Sequence, residues 1–360
     1  MKRVFVSDCE GPISKNDNAF ELTTNFVPKG DRVFSLISKY DDVLADVLKK
    51  PGYNPGDTLK LVLPFLKTFE VTDRQMRSFS AESLLLIADS GESLKHIRHT
   101  SEAFIVSTSY EHYIHALCDA LEFPFENTVC TRLVLDRYVI SEKERLELRQ
   151  IAKEIAQKPM VTIPDSAKSI SDFSRQDQET IERLDEIFWN EIMSMRVGRI
   201  FEEVKPIGGR QKAEAAKAVV ERAGVKLADV VYVGDSITDV EAFKLVRSHG
   251  GLTLSFNGNE YAIRSAEVAV MSESNIVTAF IADLFCKFTK LEVMEILRNW
   301  NREALKISRG SDTVAKKLFE TYPTALPKVK IVTPENEKTL ARESSEFRKK
   351  VRGQAIGRLG

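Results

Sequence analysis

A doubly wound α/β core, a parallel sheet with helices on both faces, is the fold class these 360 residues predict, with a helical cap and a further helical insertion added to it. Three observations carry this reading. Five short β-branched runs are continuous rather than alternating, helix-like segments separate them, and two long helical stretches interrupt the order. A strand buried on both faces needs no polar side, so parallel strands read as unbroken apolar runs.

Taken in order, the runs are "RVFVS" (3–7), "AFIVS" (103–107), "VVYVG" (230–234), "LTLSF" (252–256) and "VAVM" (268–271). "ESLKHIRHTS" precedes the second run and "EHYIHALCDALE" follows it; "RQKAEAAKAVVERAGV" precedes the third and "TDVEAFKLVRSHGG" follows it. Strands alternating with helices of this length imply crossover units. The core is assigned to 1–18, 81–142 and 202–275. Residues 19–80 form a helical cap, broken by the Pro and Gly of "KKPGYNPGD", and 143–201 a helical insertion that offers a second cap element. In the latter, Ile181, Leu184, Phe188, Ile192 and Met195 share one helical face, a packing stripe. Residues 276–360 are read as a helical extension ending in a basic, flexible tail, because charge without apolar support stays solvated; a docking arm for an acidic protein partner is the alternative.

Composition excludes several function classes. Lys and Arg number 52 against 53 Asp and Glu, for a net charge of -1, so no global field draws nucleic acid. Cys9, Cys118, Cys130 and Cys286 form no CxxC pair, and "MKRVFVSDCEG" lacks the apolar stretch of a signal peptide; a cytoplasmic location is expected. "LLLIA" and "IVTAFIADLF" are too short for a membrane span. Neither GxGxxG nor GxxxxGK[ST] occurs. His96 with His99, and His112 with His115, are spaced three apart on predicted helices, but no third ligand is evident for zinc. Cys9 lies between two acids, which raise a thiol pKa, so it is read as a small buried residue.

In open α/β sheets, ligands bind beyond the carboxyl ends of the strands. There the first run ends in "SDCEG", the second in "VSTS" and the third in "VGDSITD", while "GGRQKAEAAK" puts Lys212 in the first turn of a helix. Asp8, Asp235 and Asp239 bring oxygen ligands with no His or Cys, a donor set that suits Mg²⁺. Magnesium offsets the repulsion between these acids and a phosphate dianion; Lys212 and Ser107 can hold phosphoryl oxygens while Asp8 attacks in line. Glu10, two residues on, is within reach to protonate the leaving alcohol and then activate water.

In this order, "SDCEG", "VSTS", Lys212 and "GDSITD" resemble the four motifs of the haloacid dehalogenase (HAD) superfamily of phosphotransferases. The resemblance implies that Asp8 is nucleophile and metal ligand, and that Glu10 is the general acid/base with its backbone carbonyl on the metal. It implies that Ser107 supplies the phosphate-binding hydroxyl, a part that neighbouring Thr108 or Ser109 could serve instead, that Lys212 neutralises the phosphate, and that Asp235 and Asp239 are the acidic metal pair. The family's phosphatases usually have Asp where Glu10 stands. The insertion after the first motif resembles the cap of the phosphoserine phosphatase branch, where an acid meets the substrate amine; Asp17 stands in about that place, although its residue type and position also read as a loop or N-cap acid. More narrowly, "SDCEGPISKNDNAFEL" resembles archaeal proteins labelled as subunit R of energy-converting hydrogenase A. The expected function is a Mg²⁺-dependent phosphatase acting on a small phosphorylated metabolite through an aspartyl-phosphate. The alternative is a catalytically weak accessory or regulatory subunit, associated with such a hydrogenase.

Overall fold

A computed structural model describes residues 2–165, 167–307 and 312–359, so residues 308–311 and 360 of the expected C-terminal extension lie outside the described residues. The five apolar runs are strands, and the described residues add two more. In chain order they are β1 (Val4–Ser7), β2 (Glu102–Tyr110), β3 (Thr128–Thr131), β4 (Val230–Gly234), β5 (Leu252–Phe256), β6 (Val268–Met271) and β7 (Lys328–Ile331). They form one sheet in the order β3-β2-β1-β4-β5-β6-β7. All pairings are parallel except β6 with β7. This is the doubly wound α/β architecture the sequence predicts.

The chain winds from β1 outward through β2 to β3, then returns to place β4 on the other side of β1. The strand order therefore reverses between β1 and β4, which is where a crevice opens at the carboxyl ends. The register sets Ser7 opposite Ile105 on one side and Val233 on the other. Asp8, one position past Ser7, and Asp235, just past the end of β4, line that crevice from neighbouring strands. Both sheet faces are covered. Phe5, Ile105, Val231 and Leu254 pack against helices on one face, and Val4, Val6, Val106 and Tyr232 against helices on the other.

The two helical insertions form one body rather than two. Leu22, Phe34, Tyr40 and Phe65 of the first share a single buried cluster with Leu148, Ile155, Leu184 and Phe188 of the second. The rings of Tyr40 and Phe188 stack at 5.7 Å, a favourable offset aromatic distance. Of the stripe read from the sequence, Ile181, Leu184, Phe188 and Ile192 are buried there, with Met195 packed at the margin.

The basic C-terminal end departs from the expectation of a flexible tail. Residues Glu337–Arg352 form a helix. Leu340 and Ala341 of this helix pack on Ile263, Ala269 and Met271 of the core, and Ser344 Oγ donates to the Gly258 carbonyl at 2.7 Å. Leu359 then reaches the apolar cluster of the cap. The physical reason is that the helix buries arginines as well as apolar atoms: Arg348 and Arg352 are both less than a tenth exposed. Their charges find partners distant in sequence, which a count of local apolar support cannot register. Among the described residues, no helix is long and apolar enough to cross a membrane.

Candidate active site

The site begins where β1 stops. Asp8 N donates to the Val233 carbonyl at 2.8 Å, extending the β1–β4 ladder by one bond, and the chain then folds back on itself: Ile13 N and Ser14 N both donate to the Cys9 carbonyl. Gly11 sits in that turn at φ +102°, a backbone region open to glycine and strained for other residues. A Cβ there would lie 2.0 Å from Asp235 Oδ2, so the missing side chain is the space that Asp235 occupies. Gly11→Ala is expected to destabilise the fold by about 1–3 kcal/mol through the positive φ alone, before any displacement of Asp235. Denaturant titration checks this, and a midpoint equal to wild type would reject the close approach.

Asp8, Asp235 and Asp239 converge, each buried and each offering one carboxylate oxygen within 4.8 Å of the others. Lys212 lies among them, fully buried, with Nζ 2.5 Å from Asp8 Oδ2 and 2.8 Å from Asp239 Oδ1. Burial works to lower the Lys212 pKa, but Asp239 and Asp8 outweigh it and hold the ammonium above the ordinary lysine value. Burial also pushes the Asp8 carboxyl up, against the pull of Lys212 and with the help of Asp239 and Asp235, to about 7. Removing one member of such a buried set leaves uncompensated charge, which costs on the order of 3–5 kcal/mol.

Asp239 differs in role from its two neighbours. Its Oδ1 accepts from Lys212 Nζ and from Tyr232 Oη at 3.0 Å, and its Oδ2 accepts from the backbone N–H groups of Asp235 and Ser236 at 3.0 and 3.2 Å. A carboxylate has about four acceptor positions, and these four donors take them. Expected from the sequence as a metal ligand, Asp239 also orients the lysine and the Asp235 turn, and its charge belongs to the same acidic cluster.

Ser107 and Thr108 of β2 line the same cavity, of about 100 Å³, together with Asp8, Glu10 and Asp235. Thr108 Oγ1 donates to the Ile207 carbonyl at 2.9 Å, so its proton is committed; Ser107 Oγ is 3.1 Å from Ser109 Oγ. Glu10 points inward. Its Oε1 accepts from Asn18 N at 2.6 Å, and burial first, then Asp17, raise its pKa well above the ordinary carboxylate value. Asp17 serves as an N-cap, its Oδ1 accepting from Phe20 N at 3.0 Å, and it also lines the cavity. Cys9 is fully buried, and burial, Glu10 and Asp8 raise its thiol well above the usual value, as its sequence position suggested. The histidine pairs do not converge: His112 pairs with Asp73 at 2.8 Å and His96 with Asp283 at 3.3 Å.

Sequence reasoning missed two residues of this site. Arg348 and Arg352 of the C-terminal helix line the cavity, and Nη1 of each donates to Asp235 Oδ2, from Arg352 at 3.1 Å. The only local signal is their spacing of four in "EFRKKVR", which puts both on one helical face.

Asp8 and Asp235 present hard oxygens in a buried acidic setting, with no soft sulfur or imidazole beside them, and this fits Mg²⁺. With Asp8 near 7, a cation that requires its carboxylate must displace a proton at lower pH. Mg²⁺ affinity is therefore expected to rise with pH up to about 7 and level off above it, falling by nearly tenfold per pH unit below. Calorimetric titrations at pH 6 and pH 8 check this; equal affinities would remove Asp8 from the metal site.

No protein-family model matches the chain, and no curated protein matches it. The structure of gene product AF1437 from Archaeoglobus fulgidus is similar over 100% of this chain and 99% of that one, at 26% identity and a TM-score of 0.80. The cap and the C-terminal segment thus fall within a shared architecture. A phosphoserine phosphatase described as a phospho-aspartyl intermediate analogue aligns over 76% of this chain and 95% of its own, at 12% identity and a TM-score of 0.44. A substrate-bound phosphoserine phosphatase complex aligns with the same identity, coverage and TM-score. These last two superpositions are too loose to compare residue with residue.

Proposed function

We propose that this protein is a Mg²⁺-dependent phosphatase that hydrolyses a small phosphorylated metabolite through an aspartyl-phosphate on Asp8. The observation that carries the reading is the convergence of Asp8, Asp235 and Lys212 at the β1/β4 crevice, beside Ser107 and a buried Glu10. Asp8 and Asp235 would hold the metal, which supplies charge that offsets the phosphate dianion against the acids. Asp8 attacks phosphorus as the ester P–O bond breaks. The departing alkoxide takes a proton from Glu10, whose carboxyl is pushed toward its protonated form by burial and by Asp17. Water then attacks the aspartyl-phosphate, the Glu10 carboxylate accepts its proton, and phosphate leaves with Asp8 restored. Lys212 and the Ser107 hydroxyl stabilise the phosphoryl oxygens throughout.

The raised carboxyl also addresses the substitution of Glu for the usual Asp. The longer side chain is pinned at Oε1 by Asn18 N, so the extra methylene is taken up by a fixed contact rather than left free. Hydrolysis of p-nitrophenyl phosphate with Mg²⁺, abolished by excess chelator and restored by Mg²⁺, is the test. Full activity in chelator would reject the mechanism.

A further inference from the structure

The cavity that holds the acids is also closed by the protein's own C-terminal helix, and the contact falls on one atom. Asp235 Oδ2, the oxygen that the absent side chain of Gly11 admits, accepts from Nη1 of both Arg348 and Arg352. Arg352 is anchored further, its Nε donating to the Lys15 carbonyl at 3.0 Å and its Nη2 to the Asn16 carbonyl. Arg348 is less well served: Nη1 also donates to the Asp235 carbonyl at 3.3 Å, while Nε is buried with no hydrogen-bond partner. Two like charges one helical turn apart, both buried, share a single carboxylate. Such burial is costly unless charge of the opposite sign repays it, and among the described residues both guanidinium groups pair with the Asp235 carboxylate.

A divalent ion on Asp8 and Asp235 needs the same negative charge. It cannot take Asp235 at full strength while two guanidinium groups lean on that carboxylate, because all three are cations in a low-dielectric pocket. We propose that Arg348 and Arg352 form a clamp that competes with the divalent cation for Asp235, so that metal uptake loosens the C-terminal helix and the helix weakens metal uptake. The inference rests on the metal reading above and adds a regulator to it. By linkage the effect is reciprocal: whatever factor the helix costs the metal, the metal costs the helix. The chain beyond the helix continues to the cap, where Leu359 lines the same cavity.

The test is a calorimetric titration of Mg²⁺ into the full chain and into Arg348→Gln and Arg352→Gln. The clamp predicts that each variant binds Mg²⁺ about tenfold more tightly or better; binding by the variants where wild type gives no heat is the same result in stronger form. Affinity that is unchanged or weaker in the variants overturns the clamp and makes the arginines supports of Asp235. A second measurement needs no variant: amide hydrogen exchange across 337–352 of the wild-type protein should quicken when Mg²⁺ saturates, and exchange that is unchanged or slower overturns the proposal. If neither wild type nor variants bind Mg²⁺, the metal reading itself falls and the clamp with it, a result distinct from tight binding that ignores the arginines.

Discussion

Asp8→Asn is expected to lower turnover of an aryl phosphate by about a thousandfold or more, the scale on which loss of a nucleophile is felt. The amide nitrogen cannot form an acyl phosphate, and the substitution removes a charge that Lys212 Nζ meets at 2.5 Å. The variant should nonetheless fold, because Asp239 Oδ1 still accepts from Lys212 Nζ at 2.8 Å and keeps the buried ammonium paired. Asparagine keeps the shape of the side chain and a carbonyl oxygen for Cys9 N, which Asp8 Oδ1 accepts at 2.6 Å. Steady-state rates with a circular dichroism control separate lost chemistry from lost structure. Equal rates for variant and wild type would leave no place for an aspartyl-phosphate.

The second large effect is at Glu10, which parts the two halves of the reaction. Glu10→Gln retains an acceptor for Asn18 N but can neither give nor take the proton, and general acid–base catalysis of this kind contributes roughly 100- to 10,000-fold. Turnover should drop by that factor while beryllofluoride still binds at Asp8. Glu10→Asp tests position instead of chemistry. One methylene shorter, the carboxyl loses the Asn18 contact, and misplacement by about 1 Å can cost on the order of 100-fold. A tenfold gain in turnover for Glu10→Asp would mean that glutamate detunes the site, and would favour the accessory-subunit reading. A Glu10→Gln variant as fast as wild type would take this residue out of the mechanism.

What the sequence made legible follows from how locally each feature is encoded. β1, β2, β4, β5 and β6 announce themselves because strands buried on both faces must be apolar throughout, and the acids stand out because each follows such a run directly. β3 and β7 were not read. In "TVCT" a threonine stands at each end, and at the edge strand β7 Val329 is buried between exposed lysines, so neither is an unbroken apolar run. The arginines of the C-terminal helix were invisible for a different reason. Their partner Asp235 lies more than a hundred positions away, and composition counts a buried guanidinium as solvated charge. Asp239 shows the converse limit: its position was legible, but its contacts with Lys212 and with the N–H groups of Asp235 and Ser236 appear only once those donors are in place.

The single apolar cluster shared by two insertions also sets an order of events during synthesis. The helices Gly30–Asp42 and Thr58–Thr68 leave the ribosome with Phe34, Tyr40 and Phe65 uncovered, because the residues that complete their cluster, such as Leu148, Leu184 and Phe188, are translated only after β2 and β3. Domains generally fold as units, and surface exposed in the interval invites aggregation or chaperone capture. The nascent chain up to about β3 therefore carries an unfinished cap on a sheet that still lacks β4, the strand that pairs with β1 on its other side. Neither half of the molecule can be finished before the other has been made.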